Sequence, residues 1–189
     1  DDCTLTVADQ THDCSAGDGT ADFTVADGAD YTANIAITDV AGNSGSSNTD
    51  TFSMDNTDPA VSIDANPSDP SNDATPSFTV SSSDGGSGLA STVCDIDGTT
   101  VDCAGGTVSE GSHTFTATAT DNAGNSASDS YTWLIDITDP TVSLADGPAA
   151  ETSDTGADFT VTSADEEGGS GLESTICTLD GNTVVCGSS

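Results

Sequence analysis

Residues 110–140 read EGSHTFTATATDNAGNSASDSYTWLIDITDP, and this stretch decides the fold. His113, Phe115, Ala117 and Ala119 alternate with polar residues, as do Tyr131, Trp133 and Ile135. A period of two puts each set on one face of a β-strand. Asp121 to Ser126 between them is a tight loop. Working back along the chain, Val61 and Ile63 mark a first strand, and Phe78 and Val80 a second. Val93 to Asp95 and Val101 to Cys103 form a hairpin. Asn66-Pro67 to Pro76 is a turn-rich connection, and Ser83 to Gly88 is a loop. No stretch has helical periodicity, so the fold class is all-β.

The pattern recurs. Thr57-Asp58-Pro59 returns as Thr138-Asp139-Pro140, an offset of 81 (140 − 59). Cys94 and Cys103 return as Cys177 and Cys186, an offset of 83 (177 − 94). Asp39 to Asn43 anticipates Asp121 to Asn125, an offset of 82 (121 − 39). A fixed period with small slips means tandem copies of one module, with insertions in loops. The expected domains are a partial module at 1–58, a complete one at 59–139 and a partial one at 140–189. About 80 residues in roughly seven short strands suggests an immunoglobulin-like β-sandwich.

The six cysteines fall into three close pairs, Cys3/Cys14, Cys94/Cys103 and Cys177/Cys186. An even count at matched positions reads as disulfides in an oxidising compartment. Zinc is the alternative, but the spacings are not of the CxxC type and His12 and His113 do not cluster with the pairs. A four-residue turn at Asp97 to Thr100 would set Cys94 opposite Cys103, close enough to bond.

GSGL-ST-C-DIDG-x4-C, followed by residues 110–140, resembles the bacterial and archaeal immunoglobulin-like repeats of large secreted and surface proteins. Those repeats typically read C-x-LDG…C, then G-x-H-x-F-x-V-x-A-x-D-x-AGN, then Y-x-W-x-VD-x-T-x-P. The resemblance runs through all three copies as far as each is present. It implies a structural segment of an extracellular or cell-surface fibre, stalk or adhesin. The chain departs from the family in having no Lys or Arg, and its first copy has the longer hairpin Cys3-x10-Cys14.

Thirty-three acidic residues face no Lys or Arg, giving a formal charge of −33. Without cationic side chains the chain has no means of gripping nucleic acid or an anionic membrane. There is no apolar run long enough to insert into a membrane. Such charge opposes compaction unless it is offset. Five of the acids are Glu, leaving 28 Asp (33 − 5). Asp suits loops that bind hard cations, so Ca²⁺ is one expectation. An acidic surface adapted to brine is the other, since at about 1 M salt the Debye length is roughly 3 Å.

Strand direction locates the acids. In modules joined head to tail, the linker, the loop at Asp84 and the loop at Asp121 all meet at one pole. An interdomain calcium site is therefore expected at Asp55, Asp58, Asp84, Asp121 and Asn125. Asp136, Asp139 and Asp165 would begin the equivalent site at the next junction. Asp39 and Asn43 would belong to a site before them. The same residues also suit plain turns, with Asp121 capping its loop and Asp58 stiffening the linker before Pro59. Glu166-Glu167 reads as solvated charge.

No glycine loop opens a helix, and there is no HExxH and no nucleophile elbow, so no enzyme is expected. Both termini cut a module. Either the chain is a slice of a longer array, or it is a filament subunit whose partial modules complete each other by strand exchange. The Cys hairpin at both ends would be duplicated in an exchanged module, which favours the slice. The expected partners are neighbouring modules or copies of the chain, and a cell-surface or polymer ligand.

Overall fold

The computed structural model describes residues 2–7, 10–13 and 24–186. Among them there is no helix. The all-β expectation holds, in several small sheets. The residues group into two compact units. One comprises Asp1–Ile63, Val80–Cys94 and Ala117–Asp129, and the other Asp64–Thr79, Asp95–Thr116 and Ser130–Ser189.

The first sheet holds β1 (Asp2–Val7), β2 (Gln10–Asp13), β3 (Ala29–Thr38), β4 (Ser44–Ser46) and β5 (Asp50–Met54). Its order is β2-β1-β3-β4, with β5 also on β3. All its pairings are antiparallel. Across them Leu5 lies opposite Ile35, and Tyr31 opposite Phe52.

β6 (Ala60–Ala65) pairs with β7 (Thr79–Ser83). A four-stranded sheet follows from β8 (Leu89–Ile96), β9 (Thr99–Val101), β10 (Gly111–Asp121) and β11 (Ser126–Ile135), in the order β11-β10-β8-β9. The alternation read from residues 110–140 becomes burial. Phe115, Ala117 and Ala119 of β10 and Trp133 and Ile135 of β11 lie in the core with Phe78, Cys94 and Ile96. Phe78 stacks on Phe115 at 3.9 Å between ring centroids and meets Trp133 edge-on at 5.3 Å. These arrangements suit the aromatic quadrupole.

The connection between β6 and β7 covers the edge of β11, an edge otherwise open to pairing. Leu134 accepts a bond from the Ser71 N–H (2.9 Å) and donates to Asp69 Oδ1 (2.9 Å), while the Asp136 N–H reaches Ser71 O (2.9 Å). Tyr131 donates its hydroxyl to Pro67 O at 3.1 Å.

The hairpin turns differ from expectation. Only Asp97 and Gly98 separate β8 from β9, and both have positive φ (52° and 77°). Asp180 and Gly181 repeat this at 50° and 79°, between β14 (Cys177–Leu179) and β15 (Asn182–Val184). Two central residues with positive φ make the twist-matched turn for which Asp-Gly is a preferred pair. The register shifts with it. Cys177 lies opposite Val184, and Cys186 closes on Cys177 from beyond the ladder at a Cα separation of 5.4 Å.

Cys94 and Cys103 are disulfide-bonded as well. Closing so short a loop stabilises by about 2–3 kcal/mol in the chain-entropy account. The expected Cys3/Cys14 bridge lies outside the described residues. Two disulfides point to an oxidising, non-cytoplasmic environment. The remaining pair is β12 (Thr141–Ala145) with β13 (Thr160–Ala164), where Leu144 lies opposite Val161.

Candidate metal centre

The loop after β10 is built by Asp121. Its Oδ1 accepts the N–H groups of Gly124 (2.7 Å) and Asn125 (2.8 Å), and its Oδ2 accepts the Asn125 amide (2.7 Å). Asp39 and Asn43 make the same closure, with the Asn43 N–H and side-chain amide each 2.7 Å from Asp39. Asp-x-Ala-Gly-Asn is thus a self-capping turn, with Gly124 (φ 100°) and Gly42 (φ 88°) in the left-handed region.

The Asn125 amide also donates to the backbone carbonyl of Asp55 (3.0 Å), which ties this turn to the linker. Asp55 Oδ2 accepts the Ser87 N–H at 2.6 Å, and its Oδ1 accepts that of Thr57 at 3.1 Å. Asp84 Oδ2 accepts the N–H groups of Gly86 (3.1 Å) and Gly88 (2.8 Å). One carboxylate oxygen each from Asp55, Asp84 and Asp121 then lies within 4.8 Å of the others. Bonds from the Ser87 side chain and backbone, then from Thr57, hold the Asp55 carboxyl below its usual range. Asp121 is 2 % exposed.

The next linker repeats the wiring. Asp136 Oδ2 accepts the Ser170 N–H at 2.6 Å, and its Oδ1 accepts that of Thr138 at 3.2 Å. Asp165 Oδ2 accepts the Gly171 N–H at 2.6 Å. Asp136 and Asp165 thus occupy the places of Asp55 and Asp84. The acidic group here comprises Glu110, Asp136 and Glu166, again within 4.8 Å. The Ser170 bonds draw Asp136 down to about 2. Glu166 moves the other way, to about 6. A bond from its own backbone N–H lowers it, but burial and the carboxylates of Asp136 and Asp165 outweigh that bond. Both Glu166 oxygens are shielded from solvent and lie beside the carboxylates of Asp136 and Asp165. Its protonation therefore stabilises the fold fully below its unfolded pKa, and this contribution fades as pH rises through about 6.

Of the residues expected at the two sites, Asp55, Asp84, Asp121 and Asn125 come together at the first linker, and Asp136 and Asp165 at the second. Asp58 and Asp139 are exposed and belong to neither acidic group. Three acids escaped the sequence reading: Asp27, Glu110 and Glu166. Asp27 Oδ2 accepts the Thr57 hydroxyl at 2.6 Å, and Glu110 Oε2 accepts that of Thr138 at 2.6 Å. Asp27 also accepts the Asn56 N–H at 2.6 Å. The signal was present: Asp27-Gly28 and Glu110-Gly111 differ by 83 (110 − 27), and their threonines by 81 (138 − 57).

The donor set consists of oxygens alone, which fits a hard cation such as Ca²⁺ rather than a softer metal. The shielded oxygens of Glu166, set beside the carboxylates of Asp136 and Asp165, fit it too, because a cation would balance them. Space around both groups is tight. A Cβ on Gly86 would stand 2.5 Å from the Asp55 carboxyl carbon, and one on Gly169 would stand 2.6 Å from Glu166 Oε1. Gly86→Ala should therefore push Asp55 off the Ser87 N–H. Losing that hydrogen bond should lower the midpoint of urea unfolding. Gly85→Ala, in open space beside it, is the control.

No family model matches this chain, and no curated protein sequence matches it.

Proposed function

We propose that this chain is a structural segment of an extracellular surface fibre, stalk or adhesin, made of disulfide-stapled immunoglobulin-like modules in series and stiffened by calcium at the joints. The modules are residues 1–58, 59–139 and 140–189. The observation that carries this reading is the repeated wiring of the linker. At both linkers an Asp takes the N–H of a Ser in a Gly-Ser-Gly loop, and a Thr hydroxyl is held by an acid preceding a long strand, each at 2.6 Å. A joint made the same way twice suits a rod, in which each module must follow the last at a set angle. The calcium ligands at the first joint are Asp55, Asp84 and Asp121, and at the second Glu110, Asp136 and Glu166. The chain is not an enzyme in this reading.

A second reading draws on apolar exposure. Ile35, Ile37, Phe52 and Met54 are exposed, whereas their counterparts Ala117, Ala119, Trp133 and Ile135 are buried. Leu144, Phe159, Val161, Leu179 and Val184 line an open groove of about 520 Å³. Strands exchanged between subunits of a filament would cover both faces.

Electron cryo-imaging of native material, with the intact mass of the polypeptide, tests both readings. Surface rods with a polypeptide far heavier than 18.6 kDa support the first, and filaments of 18.6 kDa subunits support the second. Localisation inside the cell would contradict both.

A further inference from the structure

In a chain without Lys or Arg, His113 is the one described side chain able to carry positive charge near neutral pH. It stands on β10 with its ring 5.7 Å from that of Trp133. Nδ1 lies 2.6 Å from Asp97 Oδ2, and Nε2 lies 2.9 Å from Ser109 O. Both partners are acceptors, and a neutral imidazole has only one N–H to give. The two bonds together therefore require the imidazolium. A cation at this distance from an indole gains a further attraction.

Asp97 is the first of the two positive-φ residues of the β8–β9 turn, and it is bound to β10 by its backbone as well. Its N–H donates to Thr114 O (3.0 Å), and its Oδ1 accepts the Thr114 N–H (2.9 Å). The ring thus joins three pieces: the hairpin turn, the segment before β10, and β10 itself.

The first copy supplies a natural comparison. Tyr31 stands where His113 stands (113 − 31 = 82). Its hydroxyl donates to Ala26 O at 3.0 Å, and Ala26 is the counterpart of Ser109 (109 − 26 = 83). Its ring lies 5.6 Å from Phe52, the counterpart of Trp133. Tyr31 therefore makes the same ring contact and the same carbonyl bond, with a group that does not titrate near neutrality. His113 adds the second nitrogen, which reaches the turn.

We propose that His113 is a proton-operated clasp, which closes the β8–β9 turn onto β10 when the ring is charged and releases it when the ring is neutral. The titration agrees in sign. Burial lowers the pKa of His113, but the bonds to Asp97 and Ser109 and the Asp97 charge outweigh burial and raise it above 6.5. The His113 bond, then the Thr114 N–H, hold Asp97 below 3.8. The raised His contributes stability that is full below its unfolded pKa and lost as pH rises through its folded one. The lowered Asp contributes above 3.8 and loses this as pH falls through its folded pKa. The clasp is therefore closed below the unfolded pKa of the imidazole and opens as pH rises through its raised folded one. Other titratable groups on the adjoining elements are engaged elsewhere: Asp95 with the Gly98 N–H, Glu110 with Thr138, and Tyr131 with Pro67 O.

NMR titration of the full chain carrying His12→Gln, so that one imidazole remains, tests this. The His113 Cε1–H should titrate above 6.5, and Asp97→Asn should bring its pKa down by about one unit. Amide protection at Asp97 and Thr114, corrected for intrinsic exchange, should fall about tenfold between pH 5.5 and 8.5 with the same midpoint. His113→Tyr, the first copy's own residue, should remove that step and keep the fold. A His113 pKa at or below 6.5, a pKa unmoved by Asp97→Asn, or a protection step that persists in His113→Tyr would overturn the clasp. If either variant fails to fold, the wild-type chain decides by whether the imidazole and amide midpoints coincide.

Discussion

Trp133→Ala is expected to destabilise the 59–139 segment by about 3–5 kcal/mol, a large share of what a small domain has. Trp133 is 1 % exposed and touches the rings of Phe78, His113 and Tyr131. Its indole Nε1 is buried without a hydrogen-bond acceptor, so truncation forfeits packing and no hydrogen bond. The core is lean in large side chains, and two of its β10 positions are Ala117 and Ala119. Little is available to collapse into the space. Urea unfolding followed by far-ultraviolet circular dichroism measures the loss, since Trp133 is the chain's one Trp. Ser128→Ala, exposed on the same strand, should stay within about 0.5 kcal/mol.

Gly105→Ala should cost about 3 kcal/mol or more, because two penalties fall on one residue. Gly105 has φ 117°, where a side chain is strained, and a Cβ there would overlap the Pro76 carbonyl oxygen. Both obstacles are backbone, so neither can swing aside. The crossing is also held in place, with Ser77 bridged to Gly105 and the Phe78 N–H donating to Ala104 O at 3.1 Å. Displacing it would move Phe78 out of its stack. Gly98→Ala separates the penalties. It shares a positive φ (77°) but faces open space, and about 1 kcal/mol is expected there.

These core positions were legible in the sequence because a strand writes its buried face into every second residue. Phe115, Ala117, Ala119, Trp133 and Ile135 followed directly from that period. The hairpin turn was misjudged because the reading placed Cys94 directly opposite Cys103. The dipeptide Asp97-Gly98 itself carried the correct turn, and the second cysteine of each hairpin lies beyond its strand.

The acids divide in the same way. Asp121 and Asn125 were readable because their bonds are local. Asp27 and Glu110 are marked in the sequence only by the repeat offset, because each is assigned by a threonine 30 and 28 residues away. Glu166 looked like solvated charge in a Gly-rich loop, yet its oxygens turn inward beside Asp136 and Asp165. Alternation reports which face a residue occupies. It does not report which loop closes on which carboxylate.

We propose the two linkers as built joints that take a divalent cation. Isothermal titration calorimetry of the full chain with calcium chloride at low ionic strength tests it most directly. A saturable calcium-dependent heat is expected, reduced by Asp55→Asn with Asp84→Asn at the first joint and by Glu110→Gln with Glu166→Gln at the second. No calcium-dependent heat at low ionic strength would contradict it, and would leave the carboxylates as turn-builders on an acidic surface.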